Sequence, residues 1–319
     1  MCIVNKISMA SALFDRDLVA ISDLSKRNIE DVLENSLKML AVIQQGKRVD
    51  YLKNEIMATL FFEPSTRTRL SFESAMQRLG GGVIGFADAG TSSTKKGESL
   101  TDTIEVVSSY ADVIVIRHTQ EGAAREAAAH SRVPVINAGD GVGQHPTQAL
   151  LDLFTIKKEK GRLDKLKIAM VGDMKNGRTV HSLSEALSLF GSEITFIAPE
   201  ELQIPNTIYE SLVKQYGNVQ KSETIEKALD ADVIYMTRIQ QERFADMKDY
   251  ARFEHSFRID MKFLNGANKD VIIMHPLPRV TEISPEVDKM KNSVYFKQAS
   301  YGVPVRMAIL DMILNKANE

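Results

Sequence analysis

The sequence is poor in several features, and each scarcity excludes a class of protein. Cys2 is the one cysteine in 319 residues, so an intramolecular disulfide is excluded and a reducing, cytoplasmic environment is expected. No apolar run reaches the roughly 18 residues that a membrane helix needs. The N-terminal stretch carries charged residues and no apolar signal core, which predicts no signal peptide. We therefore expect a cytoplasmic protein with no membrane partner.

Excess charge and metal-binding motifs are also missing. The chain has 40 basic and 42 acidic residues, a net charge of -2, so no broad basic surface is available for nucleic acid. Its 6 histidines form no HExxH motif, and one cysteine cannot build a zinc cluster. We expect no metal and no cofactor. What is present, 44% hydrophobic and 26% charged residues, is typical of a globular protein long enough for two domains.

Short runs rich in Val and Ile alternate with helical patterns along the chain. This alternation predicts an α/β fold of two similar domains, each a mainly parallel sheet flanked by helices, with the active site in the cleft between them. Three helices are predicted with clear signals: a helix capped by Ser25, a connecting helix at 146–160 and a C-terminal helix at 304–314. The predicted strands are 56–62, 113–116, 133–137, 167–171, 193–197, 233–236, 271–274 and 294–296.

The strongest chemical signal is the segment EPSTRTR at 63–69, directly after a predicted strand and before a predicted helix. Free N–H groups and the positive end of the helix dipole favour an anion at such a helix start. Ser65, Thr66 and Thr68 add hydroxyl donors, and Arg67 adds a guanidinium fork. The segment therefore predicts a phosphate site. Arg117, at the carboxyl end of the next strand, is a candidate for the same anion because open α/β sheets bind ligands at that edge.

A second cluster, QHPTQ at 144–148, opens the connecting helix. His145 and Gln148 are three residues apart and share a helical face, so both can reach one ligand. A lone histidine is more often structural than catalytic. The functional interpretation is a neutral imidazole that donates to a carbonyl oxygen.

The segment GDMKNGRT at 172–179 follows a predicted strand and resembles a nucleotide-binding P-loop with Arg178 in place of its lysine. This is the alternative hypothesis, a P-loop-like nucleotide-binding enzyme. Two further segments end predicted strands, TRIQ at 237–240 with Arg238 and Gln240, and HPLPR at 275–279. The proline pair stiffens that backbone, and Leu277-Pro278 is a candidate cis bond.

Three of these motifs, STRTR, QHPTQ and HPLPR, stand in the order and spacing of the aspartate/ornithine carbamoyltransferase family, which the chain resembles from about Ser22 to its C-terminus. Ornithine members typically have HPCQ and HCLP where this chain has HPTQ (145–148) and HPLP (275–278). Both positions, with GRTVHSL (177–183) and TRIQ, resemble the aspartate members. The resemblance implies a transferase that moves a carbamoyl group from carbamoyl phosphate to L-aspartate, in pyrimidine biosynthesis. Another amino-acid acceptor remains an alternative.

The resemblance also implies roles for the candidate residues. Residues 1–148, completed by a C-terminal helix at about 302–319, would bind carbamoyl phosphate, and residues 149–301 would bind aspartate. The phosphate would be held by Ser65, Thr66, Arg67, Thr68 and Arg117. The carbonyl oxygen would be stabilised by Thr68, Arg117 and His145, and the carbamoyl amino group by Gln148 and the carbonyls of Leu277 and Pro278. The aspartate carboxylates would be bound by Arg178, Arg238 and Gln240.

Partners follow from the same resemblance. In the family, the loop that corresponds to 91–98 reaches the active site of a neighbouring subunit, with Ser92 and Lys96 at the matching positions. A homotrimer with shared active sites is therefore expected, and Lys96 counts among the catalytic residues. The segment TRIQQERF at 237–244 also resembles members that bind a separate regulatory chain. Transfer is expected to be direct, with no covalent enzyme intermediate.

Overall fold

A computed structural model gives the fold, and it describes residues 11–88, 90 and 97–315. The chain divides into two compact units, the first formed by 1–141 with 302–319 and the second by 142–301. The division lies earlier than the expected boundary after residue 148, because the connecting helix packs along the next helix of the second unit. The C-terminal segment that begins at Gly302 belongs to the first unit.

The first unit contains a four-stranded parallel sheet of order β2-β1-β3-β4. Its two central strands are buried, and apolar residues on helices cover them, as a parallel sheet requires. The carboxyl ends of β1 and β3 are adjacent, so the residues that follow them lie at one edge. The elements are α1 (Lys26–Gln44), β1 (Ile56–Phe61), α2 (Thr66–Arg78), β2 (Gly82–Phe86), α3 (Leu100–Val107), β3 (Val113–His118), α4 (Ala123–His130) and β4 (Val135–Asp140).

The second unit contains a five-stranded parallel sheet of order β7-β6-β5-β8-β9. Strands β5 and β8 are neighbours at its centre, so the loops after them share one edge. The elements are α5 (Pro146–Lys160), β5 (Lys167–Val171), α6 (Arg178–Ser188), β6 (Glu193–Ile197), α7 (Asn206–Tyr216), β7 (Val219–Ser222), β8 (Val233–Met236), α8 (Met247–Phe253), α9 (Met261–Asn265), β9 (Ile272–Met274) and α10 (Tyr295–Leu314), which continues into the first unit.

Most of the predicted elements are confirmed. The connecting helix spans the predicted residues, and Ser25 caps α1 by accepting the backbone N–H of Asn28 at 3.1 Å. Strands β2 and β7 were missed because they are sheet edges with few buried apolar residues. Across the described ranges, none of the helices is long and apolar enough to cross a membrane.

The predicted strand at 294–296 is wrong. Helix α10 begins at Tyr295, well before the predicted start at Pro304, which lies inside the helix. Ser293, directly before this run, forms an isolated bridge with Ile273 of β9. A short apolar run of this kind fits a buried strand and a buried helix equally well, so periodicity alone could not separate the two.

Candidate functional site

The hydroxyl-rich segment lies where the sequence predicted, between the end of β1 and the start of α2. Ser65 is the N-cap residue, with an extended backbone, and within the described chain its side chain makes no capping hydrogen bond. Its hydroxyl is therefore not used to cap α2. Thr66 and Arg67, the first two residues of the helix, are exposed, whereas Thr68 is buried. This helix start combines exposed donors with the positive end of the dipole, an arrangement suited to a phosphate.

Arg117 lies at the same edge of the first sheet. It is aligned with Phe61 in the β1–β3 register, and its backbone oxygen accepts the N–H of Phe62 at 2.8 Å. Its guanidinium donates to the Ala138 carbonyl at 3.0 Å and forms an ion pair with Glu63. The side chain of Arg117 is only 11% exposed, so these contacts hold the fork in a defined orientation. The structure thus brings Arg117 to the segment that carries Ser65.

Glu63, the first residue of the segment EPSTRTR, pairs with Arg117, and the sequence alone did not predict this role. A signal was available, because an acid directly beside a cluster of hydroxyls and arginines is an obvious counter-charge. Sequence could not say which arginine it pairs with, since that depends on the alignment of β1 with β3.

His145 and Gln148 open helix α5 in the second unit. His145 occupies the N-cap position, is buried, and its backbone N–H donates to the Ser182 hydroxyl at 2.9 Å. Gln148 is 9% exposed, and its amide Nε2 donates to Asp152 at 2.9 Å. The expected placement at the start of this helix is confirmed. The contact with Asp152, one helical turn further on, was not predicted.

In the loop from Gly172 to Gly177, several backbone N–H groups donate to acceptors of the protein itself. The N–H groups of Met174 and Lys175 donate to the Leu202 carbonyl at 3.0 and 2.9 Å, and that of Asn176 donates to the Asp173 carboxylate at 2.9 Å. A P-loop needs such N–H groups to point at a phosphate. The geometry therefore disfavours the nucleotide-binding alternative.

Arg178 is the first residue of α6, directly after this loop. A side chain at Gly177 would meet the Asp173 carbonyl at 2.5 Å, so glycine is required for the approach that leads into the helix. Asp173 also accepts the backbone N–H of Gln240 at 3.4 Å, while the Gln240 amide donates to the Asn176 carbonyl at 2.9 Å. The structure thus brings Gln240 to the loop that precedes Arg178.

Arg238 follows β8 and lines a cavity of the second unit together with Thr237, Tyr250, Glu254 and Glu282. Its guanidinium makes a two-point ion pair with Glu242, and this hydrogen bond raises the pKa of Arg238 and lowers that of Glu242. Arg238 is therefore a permanent cation. Because the side chain of Glu242 is 55% exposed, the ion pair contributes about 0–1 kcal/mol and can open for another carboxylate.

The turn after β9 contains the cis bond Leu277-Pro278, and Leu277 has a left-handed φ of 57°. The candidate cis bond is thus confirmed. His275 holds the turn, since its Nδ1 accepts the N–H of Leu277 at 2.8 Å and its Nε2 lies 2.7 Å from Glu282. The backbone carbonyls of this turn therefore have fixed directions.

The histidine of this pair is neutral. Burial lowers the pKa of His275, which outweighs the opposing effect of Glu282. Burial alone would raise the pKa of Glu282, but the hydrogen bond from His275 lowers it below its usual value. Nε2 then donates to the carboxylate, and Nδ1 is left as an acceptor.

Ser92 and Lys96 lie outside the described residues. Among the residues that the structure does describe, no group of three or more His, Cys, Asp or Glu side chains could hold a metal ion. The site residues therefore form two described sets. One set, at the edge of the first sheet, contains Ser65, Thr66, Arg67, Thr68 and Arg117, and the other, in the second unit, contains His145, Gln148, Arg178, Arg238, Gln240, Leu277 and Pro278.

Comparison with protein families gives two matches that cover most of the chain. Residues 16–158 match the carbamoyl-phosphate-binding domain of the aspartate/ornithine carbamoyltransferases, and residues 164–313 match the aspartate/ornithine-binding domain of the same family. A relative from Methanococcus maripaludis, named aspartate carbamoyltransferase catalytic subunit, is 53% identical over 300 residues, which are 93% of this chain and 98% of the relative.

Solved structures give the same result. The catalytic subunit of M. jannaschii aspartate transcarbamoylase matches with a TM-score of 0.86 and 51% identity, covering 93% of this chain and 97% of that one. Aspartate transcarbamoylase from Trypanosoma cruzi, in complex with carbamoyl phosphate and aspartate, matches with a TM-score of 0.91 and 38% identity, covering 96% and 98%. Matched by the family along both units and by these relatives over nearly its whole length, the chain belongs to the aspartate/ornithine carbamoyltransferases.

Proposed function

We propose that this chain is an aspartate carbamoyltransferase, which transfers the carbamoyl group of carbamoyl phosphate to L-aspartate and releases phosphate. The observation that carries the choice of aspartate is the presence of two arginines at one edge of the second sheet, Arg178 at the start of α6 and Arg238 directly after β8, where the neighbouring strands β5 and β8 end. A dicarboxylate is attracted to such a site, whereas the second ammonium of ornithine is repelled. The reaction is the committed step of pyrimidine biosynthesis, carried out in the cytoplasm.

Carbamoyl phosphate is bound by the edge of the first sheet. The hydroxyls of Ser65, Thr66 and Thr68 and the guanidinium groups of Arg67 and Arg117 hold the phosphate. This assignment is supported by the exposed start of α2 and by the fixed orientation of Arg117. Cationic and N–H donors stabilise the leaving phosphate as it gains charge.

The carbamoyl group is oriented by a second set of contacts. Thr68, Arg117 and His145 donate to the carbonyl oxygen, which becomes an oxyanion. Gln148 and the backbone carbonyls of Leu277 and Pro278 accept from the amino group. The closed turn around His275 supports this role, because its carbonyls are held in place.

Aspartate is bound by Arg178, Arg238 and Gln240. Two guanidinium forks suit two carboxylates, since each fork can make two parallel hydrogen bonds. The exposed Glu242 gives way to the substrate carboxylate on Arg238.

The transfer is direct. The amine of aspartate attacks the carbamoyl carbon, the new N–C bond forms, and a tetrahedral intermediate results. The C–O bond to phosphate then breaks, and the departing phosphate takes the proton from the nitrogen. No side chain forms a covalent intermediate, so positioning and charge stabilisation supply the rate.

The test is an assay of the purified protein with carbamoyl phosphate and either aspartate or ornithine. Carbamoyl aspartate should form, ornithine should not react, and succinate, which lacks the amine, should compete with aspartate. A faster reaction with ornithine would show that the acceptor assignment is wrong. Absence of transfer to either acceptor would remove the catalytic proposal.

We further propose a homotrimer in which Ser92 and Lys96 of one chain complete the site of its neighbour. This proposal rests on the family resemblance, because both residues lie outside the described part of the chain. A separate regulatory chain that contacts the region of 237–244 belongs to the same proposal. Light scattering of the purified chain alone measures the mass of the proposed trimer. The same measurement after mixing with fractions of a cell extract tests for a second chain, whose binding would raise the mass above that of the trimer.

Mixed trimers test the shared site. Lys96→Gln and His145→Ala should each be nearly inactive alone. If a site takes His145 from one chain and Lys96 from the next, then about one site in four of an equal random mixture contains neither change, by cyclic symmetry. Activity should return to roughly a quarter of wild type after joint dissociation and reassociation. Trimers that have mixed without any recovery would place Lys96 in the site of its own chain.

A further inference from the structure

A buried carboxylate in the second unit lies beside one of the proposed substrate contacts. Asp152, on helix α5, has no exposed surface. Its Oδ1 accepts from Gln148 Nε2 at 2.9 Å and from Gln298 Nε2 at 2.7 Å, and its Oδ2 accepts from the Tyr235 hydroxyl at 2.8 Å. A carboxylate that is removed from water requires such donors, because an uncompensated buried charge is very costly.

The contact between Asp152 and Gln148 fixes which end of the Gln148 amide faces outward. An ionised carboxylate can only accept hydrogen bonds, so the amide must turn its NH2 group towards it. The four-residue spacing on α5 places the two side chains on one helical face. The amide oxygen of Gln148 is then directed away from Asp152, as an acceptor for another donor.

Other side chains hold Asp152 in position. Burial raises the pKa of Tyr235 well above its usual value, so its hydroxyl stays protonated and continues to donate. The Gln298 amide oxygen accepts the backbone N–H of His275 at 2.9 Å. Asp152 is thereby connected, through one side chain, to the turn that carries Leu277.

We propose that Asp152 is a positioning residue for the reaction, which holds the Gln148 amide with its oxygen directed at the carbamoyl amino group. The inference rests on the proposed function, in which Gln148 binds that amino group. Without the carboxylate, the Gln148 amide can rotate by half a turn. Its NH2 group then faces the carbamoyl amino group, and the two donors cannot form a hydrogen bond. Affinity for the carbamoyl group then falls, while contacts to the phosphate are unchanged.

The test compares two ligands that differ at one group. Acetyl phosphate has a methyl group where carbamoyl phosphate has the amino group, so it cannot donate to Gln148. The wild-type enzyme should bind carbamoyl phosphate at least about tenfold more tightly, as expected of a site built to hydrogen-bond that group. The quantity to measure is the ratio of the two dissociation constants, by titration calorimetry without aspartate.

Asp152→Asn should lower this ratio by roughly fivefold, the worth of one neutral hydrogen bond, and Gln148→Ala should lower it by a similar factor. The double variant should fall no more than about twofold further, because both changes remove one interaction. The matched control is Glu159→Gln, which makes the same carboxylate-to-amide change on the same helix, where Glu159 accepts from Tyr301. It should leave the ratio unchanged.

The outcomes separate a positioning role from a structural one. A general loosening of the unit weakens both ligands together and leaves the ratio as in wild type, and that result would overturn the inference. A wild-type enzyme that transfers no carbamoyl group would instead contradict the proposed function. If Gln148→Ala lowers the ratio and a folded Asp152→Asn does not, only the role of Asp152 is refuted.

Folding of the variants is checked by circular dichroism, and Asp152→Ser replaces Asp152→Asn if the latter does not fold. If neither folds, the wild-type enzyme provides the measurement. The side-chain amide protons of Gln148, assigned in nitrogen-labelled protein by comparison with Gln148→Ala, should exchange slowly with solvent. Exchange as fast as that of an exposed glutamine would contradict the hydrogen bond to Asp152.

Discussion

The two units present their candidate ligand-binding residues in different ways. In the first unit, four of the five residues lie within one short segment, from Ser65 to Thr68, and their placement follows from a strand end and a helix start. In the second unit the residues come from four separate segments. There, buried carboxylates such as Asp152, Asp173 and Glu282 hold the neighbouring groups by hydrogen bonds.

The difference shows two routes to a fixed site. A local segment needs only its secondary structure to aim its donors, so a change there should affect ligand binding and leave stability largely intact. Residues gathered from distant segments depend on buried polar networks, in which a lost partner leaves an unsatisfied group. Changes in the second unit should therefore affect binding and stability together.

The largest effect is expected for Arg67→Ala in the first unit. Loss of a charged contact to the phosphate costs several kcal/mol of transition-state stabilisation, so the rate should fall at least about a hundredfold. The exposed position of Arg67 predicts that the fold survives. Steady-state kinetics and circular dichroism measure the two quantities. Arg78→Ala, at the exposed other end of α2, is the control, and near wild-type turnover of Arg67→Ala would contradict the phosphate assignment.

Arg238→Ala should have the next largest effect, on aspartate alone. A hydrogen bond to a charged group contributes about 1.5–3 kcal/mol, so kcat/KM for aspartate should fall roughly tenfold to a hundredfold. The dissociation constant of carbamoyl phosphate should change less than about twofold, since Arg238 is assigned to the other substrate. Arg252→Ala removes an exposed arginine of the same unit and serves as the control. Equal losses for both substrates would show that the assignment of Arg238 to aspartate alone is wrong.

The pH dependence of stability tests the network of the second unit. The pKa of His275 in the folded protein lies below its unfolded value. The contribution of His275 to the free energy of unfolding is therefore complete above about pH 6.5 and is lost as the pH falls below 6.5 towards the folded pKa. The pKa of Glu282 is also lowered in the folded protein. Its contribution to stability is lost only in more acidic solution, as the pH falls below the usual pKa of a glutamate towards the folded pKa of Glu282.

In urea unfolding, the excess stability of wild type over His275→Gln should shrink as the pH falls from about 7 to about 5.5. His255→Gln changes a histidine whose side chain is 73% exposed and provides the comparison. A gap that stays constant over this range would mean that the protonation of His275 is not linked to folding.

The smallest effect is expected for the stability of Ser65→Ala. Ser65 makes no capping hydrogen bond within the described chain, so the free energy of unfolding should change by less than about 0.5 kcal/mol. Ser25→Ala removes a true cap and should cost about 1 kcal/mol. Activity should respond in the opposite order, with a fall of roughly fivefold for Ser65→Ala alone. Denaturant unfolding and initial rates provide the comparison. A stability loss for Ser65→Ala equal to that for Ser25→Ala would show that Ser65 does cap α2.

Local sequence predicted the elements that have strong patterns of their own. The start of α5 at Pro146 and the cap at Ser25 follow from residue chemistry that acts over a few positions. The edge strands β2 and β7 were missed because strand pairing, and not an apolar pattern, defines them. The run at 294–296 was misassigned because an apolar stretch suits either a strand or a helix until its neighbours are known.

The sequence by itself singled out the candidate site residues, since hydroxyls, guanidinium groups and prolines at the ends of strands have few other uses in such density. It could not determine their partners. Whether Glu63 pairs with Arg117, or Asp152 with Gln148, Tyr235 and Gln298, depends on strand alignment and on helix packing across long stretches of chain. Only the tertiary structure decided those contacts, because a buried carboxylate is stabilised by whichever donors the fold brings to it.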